Sequence, residues 1–141
     1  MSTLNIGVVG YSGTPFDVEE AKRLLNIGLD AVLADNPTAT SVNLISGLTD
    51  LGIPALAYRI AVERGWETTG VACAKAEKYD CFAVTTRTIV GNDWGDESQT
   101  FLAACDVIVR VGGGKQSLAE VAEFAQSGGK LYEYELERLD R

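Results

Sequence analysis

Apolar residues in this chain follow two rhythms. Short, nearly unbroken runs alternate with longer stretches where they recur every third or fourth position. Leu4-Asn5-Ile6-Gly7-Val8-Val9-Gly10 is a run of the first kind, closed by glycine, and predicts a buried strand. Tyr11-Ser12-Gly13-Thr14-Pro15 is turn chemistry. From Asp17 the period changes. Ala21, Leu24, Leu25, Gly28, Leu29 and Val32 recur at helical spacing, with Asp17 as N-cap and Glu19 and Glu20 in the first turn, where the helix dipole favours them. Asp35-Asn36-Pro37 ends this helix. The rhythm then repeats. Val42 to Gly47 predicts a second strand, and a helix starting at or near Pro54 carries Ala55, Tyr58, Ala61 and Val62 to Gly65. Thr68 to Ala72 predicts a third strand, followed by a polar stretch from Lys75 to Asp80 and a fourth strand at Phe82-Ala83-Val84-Thr85. Gly91 to Asp96 reads as a loop and Glu97 to Ala104 as a short helix. Asp106 to Val111 predicts a fifth strand closed by Gly112-Gly113-Gly114, then a helix from Ser117 to Ser127 and a last strand from Lys130 to Tyr134. The charged tail from Glu135 reads as frayed or as a turn of helix.

Strand, glycine loop and helix in repetition predict an α/β fold: a three-layer, Rossmann-like, mostly parallel sheet with helices on both faces. With 141 residues and no linker, repeat or low-complexity tract, residues 1–141 are expected to form a single domain. In such sheets ligands bind beyond the carboxyl ends of the strands, where strand order reverses. Three junctions therefore carry the candidate chemistry: Gly10 to Thr14, Ser46 to Pro54 and Gly112 to Ser117.

Composition narrows that chemistry. Twelve basic against 20 acidic residues give a net charge of −8, and there is no histidine. An acidic chain lacks the basic field of a nucleic-acid binder. Imidazole bases and histidine metal ligands are excluded. Cys73, Cys81 and Cys105 show no CxxC spacing and read as inert buried thiols, so no metal is predicted. No apolar run approaches the ~18 residues of a membrane span, and the N-terminal residues have no signal-peptide character, so a cytoplasmic location is expected. The chemistry is left to backbone amides, hydroxyls, carboxylates, Arg and Lys.

Gly112-Gly113-Gly114-Lys115-Gln116-Ser117 is the strongest candidate. Successive glycines admit close approach of a ligand, and the helix start offers unpaired amides at the positive end of the dipole, a site for phosphate or carboxylate. Lys115 adds charge and Ser117 a hydroxyl. Glu120 has two readings: partner of Ser117 in a capping box, or acceptor for a ligand hydroxyl. Ser46, Gly47 and Thr49 in the second junction, with amides of the next helix, face the same rim. Gly10, Tyr11 and Ser12 form the third, where Tyr11 either stacks on a base or packs sideways. Trp94, between Gly91 and Gly95, is either a lid or a loop anchor. Arg59 and Arg87 are candidate anion partners or solvated surface groups. For Mg²⁺, only Asp50, Asp93 and Asp96 suggest themselves.

These motifs resemble the LOG-like (SLOG) Rossmann superfamily. It groups cytokinin-activating phosphoribohydrolases once called lysine decarboxylases, molybdenum cofactor carrier proteins and the Rossmann domain of DNA-processing protein A. Ser46 to Pro54, the helix to Gly65 and Thr69-Gly70-Val71 are similar to its second half-site. Val8-Val9-Gly10-Tyr11-Ser12-Gly13 resembles its opening strand and loop. Gly112 to Glu120 resembles its PGGxGTxxE loop, with Gly113, Gly114, Ser117 and Glu120 matching, Gly112 in place of Pro and Gln116 in place of Gly. The resemblance implies a phosphate held on the glycine loops. The hydrolases of the superfamily also use an Arg some fifteen residues before the loop; here the count lands on Glu97, and no Arg or Lys lies between Trp94 and Val109.

The favoured expectation is a small soluble protein that binds a nucleotide or nucleotide-derived phosphorylated ligand without turnover. The alternative is a phosphoribohydrolase cleaving the N-glycosidic bond of a nucleoside monophosphate with Glu120, and a third reading makes the glycine loops purely structural in an assembly domain. A homodimer or higher homo-oligomer is expected, with apolar faces at Leu24 to Val32 and Val121 to Phe124 as candidate contacts. No nucleic-acid or membrane partner is expected.

Overall fold

The computed structural model describes residues 2–139. In chain order the elements are β1 (Thr3–Gly10), α1 (Val18–Asp35), β2 (Ser41–Ser46), α2 (Gly52–Glu63), β3 (Glu67–Ala72), a 3-10 turn (Ala74–Lys78), β4 (Thr86–Ile89), α3 (Ser98–Ala104), β5 (Val107–Val111), α4 (Lys115–Gln126) and β6 (Lys130–Tyr134). The strands form one sheet in the order β4-β3-β2-β1-β5-β6. All five pairings are parallel, so the mostly parallel sheet expected from sequence is parallel throughout its named strands.

The central strands are buried on both faces, which is why they read as apolar runs rather than alternating ones. Val8, Leu44 and Val109 pack with Leu25 and Leu29 of α1 and Ala57 of α2 on one face. Their neighbours Val9, Ile45 and Ile108 pack with Phe101 of α3 and Val121 and Phe124 of α4 on the other. The chain steps outward from β1 to β4, then crosses back to β5 beside β1 and continues to β6. Right-handed crossovers in opposite directions put helices on opposite faces. The reversal between β1 and β5 opens the crevice used by the site. Of the two stretches expected to self-associate, Leu24, Leu25, Leu29 and Val32 belong to one core and Val121 and Phe124 to the other, while Ile27 stays exposed.

The helix from Asp17 forms with the cap and buried stripe its sequence predicts; the Asp17 carboxylate accepts the Glu20 amide at 3.1 Å. Three expectations are corrected. The fourth strand lies at Thr86–Ile89, not at Phe82 to Thr85. The apolar residues of the expected segment serve the core from a loop instead: Phe82 tilts against the Tyr58 ring at 5.0 Å, and the Thr85 hydroxyl accepts the Thr68 amide at 3.1 Å. Helix α4 begins at Lys115, two residues before Ser117. The tail is held rather than frayed as far as Leu139. Leu136 is buried, and the Leu139 amide donates to the Pro15 carbonyl at 2.9 Å. Cys73 and Cys105 are buried, Cys81 is half-buried, and all three thiols are free. Burial pushes the Cys105 thiol up to about 12. No helix among the described residues is long and apolar enough to cross a membrane.

Candidate functional site

The carboxyl ends of β1, β2 and β3 and the start of α4 surround a cavity of about 330 Å³. This is the crevice at the strand-order reversal, and the size suits a small ligand. Val9, Val71, Ala72, Ala76 and Phe101 give it an apolar floor. Its charged lining is Lys115, Glu97 and Glu120.

Helix α4 supplies the cation-like side. Its N-cap is Gly114, and no side chain caps it. The first turn of a helix has amides with no intrahelical partner, and here its residues Gly114, Lys115, Gln116 and Ser117 line the cavity. Gly112 and Gly113 do not line the cavity. They make the bend that delivers Gly114, with φ of 61° and 110°, where a Cβ would strike the Tyr11 ring and Ser117 respectively. The bend is held from behind by Arg110, which is almost fully buried. Its Nη1 donates to the Gly112 carbonyl at 2.8 Å, and its Nε and Nη2 bind Glu133 and Glu135.

The capping-box reading of Ser117 and Glu120 fails, because both residues lie inside α4. The Ser117 hydroxyl donates instead to the Gly10 carbonyl at 3.3 Å, tying α4 to β1. Glu120 accepts from Ser98 Oγ at 2.9 Å. Burial pushes its carboxyl above the usual range, against the opposing pull of the Ser98 and Gln116 hydrogen bonds, and the nearby Glu97 charge adds to the rise.

Glu97 is the residue that sequence reasoning passed over. It is only 8% exposed and lines the cavity between Trp94 and Phe101. Its Oε1 accepts the Gly95 amide at 3.0 Å and its Oε2 accepts Gln116 Nε2 at 3.3 Å. The sequence signal was the acidic residue standing where the resemblance puts an Arg; that it points inward is visible only in the fold. Arg59 and Arg87 do not compensate. They pair at the surface with Asp50 and Glu77, and neither lines the cavity.

The remaining candidates sort by position. Gly10, Tyr11 and Ser12, with Ser46, Gly47 and Thr49, share the cavity with Gly114, Lys115, Gln116 and Ser117. Tyr11 packs sideways: its ring stacks on Phe16 at 6.2 Å and its hydroxyl donates to the Leu136 carbonyl at 3.1 Å. The buried Ser46 hydroxyl donates to the Val8 carbonyl at 2.7 Å. At the start of α2 the amides expected to serve the rim are in part already taken. The Ile53 amide donates to the Tyr11 carbonyl at 2.8 Å, the Leu51 amide to the Thr49 carbonyl at 2.8 Å, and Pro54 has no amide hydrogen. Trp94 is 52% exposed, lines the cavity mouth and tilts against Tyr79 at 6.0 Å. Its loop is built by Asp96, whose carboxylate accepts the Asn92 and Asp93 amides, and by the Lys75–Asp93 ion pair at 2.8 Å. Asp50, Asp93 and Asp96 thus have structural partners, and among the described residues no cluster of three acidic or Cys groups is placed to hold a metal.

No family model matches the chain, and no curated protein matches it in sequence. Solved structures do match. The molybdenum cofactor binding protein from the phototrophic bacterium Rippkaea orientalis superposes with a TM-score of 0.74 at 22% identity, over 96% of this chain and 78% of that one. The chain shares its fold. The molybdenum cofactor carrier protein from Chlamydomonas reinhardtii gives 0.72 at 22% identity, over 93% and 76%. A structural-genomics target, TM1055, gives 0.70 at 23% identity, over 91% and 72%. The Rossmann-like architecture is the one that the glycine-loop resemblance implies.

Proposed function

We propose that this protein binds a nucleotide or nucleotide-derived phosphorylated ligand in the cavity, with the ligand's anion on the first turn of α4, and does not turn it over. One observation carries the reading: the start of α4, Gly114 to Ser117 with Lys115 among them, has no side-chain cap and lines a cavity at the strand-order reversal. A chain of charge −8 does not attract phosphate through its overall field, so a local, backbone-built site is the means left to it. The names of the two molybdenum cofactor proteins of this fold support carriage of a small molecule rather than its conversion.

Gly114→Asp tests the reading. The N-cap backbone is extended, and space around Cα is open, so an aspartate fits and caps α4 itself. Its carboxylate would occupy the amides meant for the ligand. Thermal shift against AMP, GMP, NAD, ADP-ribose and a molybdopterin-type ligand should show stabilisation of the parent chain and none of the variant. Absence of any shift in the parent would sink the proposal.

The hydrolase reading has one observation in its favour, the raised pKa of Glu120, which suits an acid. Against it, the charged groups around Glu120 are Glu97 and Glu123, and no Arg lines the cavity to anchor a phosphoribosyl group. Release of free base from a nucleoside monophosphate, lost in Glu120→Gln, would establish it.

A further inference from the structure

The cavity has two unlike walls. One is the α4 amides with Lys115, and the other is the carboxylate pair Glu97 and Glu120. Gln116 sits at the seam, its backbone in the first wall and its side-chain amide donating to Glu97. Among the described residues no Lys or Arg forms an ion pair with either carboxylate. A buried carboxylate without a counter-ion is held by donors. Glu97 accepts two hydrogen bonds, although a carboxylate has about four acceptor positions. The residue lines the cavity, where a ligand donor could fill the rest.

We propose that Glu97 is the specificity residue of this cavity and that it selects a ligand whose anion sits on α4 and whose ring presents paired N–H donors, a guanine-type edge. The inference rests on the nucleotide reading above and adds the chemistry of the base. Two adjacent N–H groups, one on the ring and one on an amino substituent, meet a carboxylate in the parallel, two-bond geometry that makes such contacts strong. Adenine turns a ring acceptor toward the same oxygens, and hypoxanthine offers a single donor. A second anionic group at this position meets two carboxylates and is rejected. Phe101 and Trp94 beside Glu97 give a flat ring aromatic surface to lie against.

The experiment is calorimetric titration of the whole chain with GMP, IMP and AMP, which share sugar and phosphate and differ only in the ring edge. GMP should bind about tenfold or more tighter than IMP and AMP, the worth of a hydrogen bond to a charged group. In Glu97→Gln the ratio should fall toward one, with melting temperature as the check on folding. If that variant does not fold, the comparison of the three nucleotides on the parent chain decides alone. Equal binding of all three, or preference for AMP, overturns the inference and leaves the nucleotide site standing. Binding by none overturns the inference, and the site falls with it only if NAD, ADP-ribose and the molybdopterin-type ligand also give no thermal shift.

Discussion

Helices α2 and α4 enter the same rim of the sheet from glycine-containing junctions, yet only one presents a site. The α2 junction has its glycine at positive φ, as the α4 junction has, but the two positions an N-cap anion would serve are closed: the Ile53 amide is taken by the Tyr11 carbonyl, and Pro54 has no amide hydrogen. At α4 no side chain caps the corresponding groups, and their residues line the cavity. Glycine content is therefore a poor guide to a phosphate site. What decides is whether neighbouring backbone has already satisfied the helix amides.

The comparison can be broken in four ways. The largest effect should come from the bends themselves. Gly112→Val and Gly52→Val put a β-branched residue at φ of 61° and 65°, against the Tyr11 ring in one case and the Tyr11 and Ser12 backbone in the other. Each should cost about 3 kcal/mol or more in chemical denaturation. Similar losses would show that the two junctions differ in function and not in conformational demand. Next comes Arg110→Met, which removes the buried guanidinium from the Gly112 carbonyl and from Glu133 and Glu135. A loss of about 2 kcal/mol is expected, together with weaker ligand binding. Unchanged affinity would mean that the bend holds without its support.

The third test sets the helices directly against each other. Gly114→Asp should leave melting unchanged or slightly raised while reducing binding at least tenfold. Leu51→Asp at the α2 N-cap should change neither, because Pro54 and the occupied Ile53 amide leave its carboxylate nothing to cap. Loss of binding in Leu51→Asp would move the ligand's anion to α2. The smallest effect concerns Glu120. Its folded pKa is raised, chiefly by burial, so between its unfolded and folded values the folded chain holds the extra proton and stability falls as pH rises. Glu120→Gln should therefore melt higher than the parent at pH 7 and lose that advantage below the unfolded value, near pH 4. An advantage that persists at low pH would point to packing rather than charge.

The legible part of the fold follows from local physics. Asp17 and the stripe from Ala21 to Val32 specify α1 because cap and period agree. The runs at Ile6 to Val9 and Val107 to Val111 declare buried strands because both faces are covered. The edge strand Thr86–Ile89 escaped because an exposed edge needs no apolar pattern, while Phe82 and Val84, which have one, pack from a loop. At the site, the rim junctions were visible as glycine and serine clusters. Glu97 was visible only as an odd residue in a motif, and Arg110 as one basic residue in a strand.

By itself the sequence determined the alternation of strands and helices, the junctions that reach the rim, and the absence of imidazole chemistry. These depend on spacing and residue type, which are properties of neighbours along the chain. Only the tertiary structure decided the strand order, and with it the reversal beside β1 that opens the cavity. It decided too that the Ile53 amide of α2 is filled while α4 starts without a cap at the cavity, and that Glu97 lines that cavity with Glu120. Each of those turns on contacts between residues far apart in sequence, such as Tyr11 with Ile53 and Ser98 with Glu120, whose partners no local pattern names.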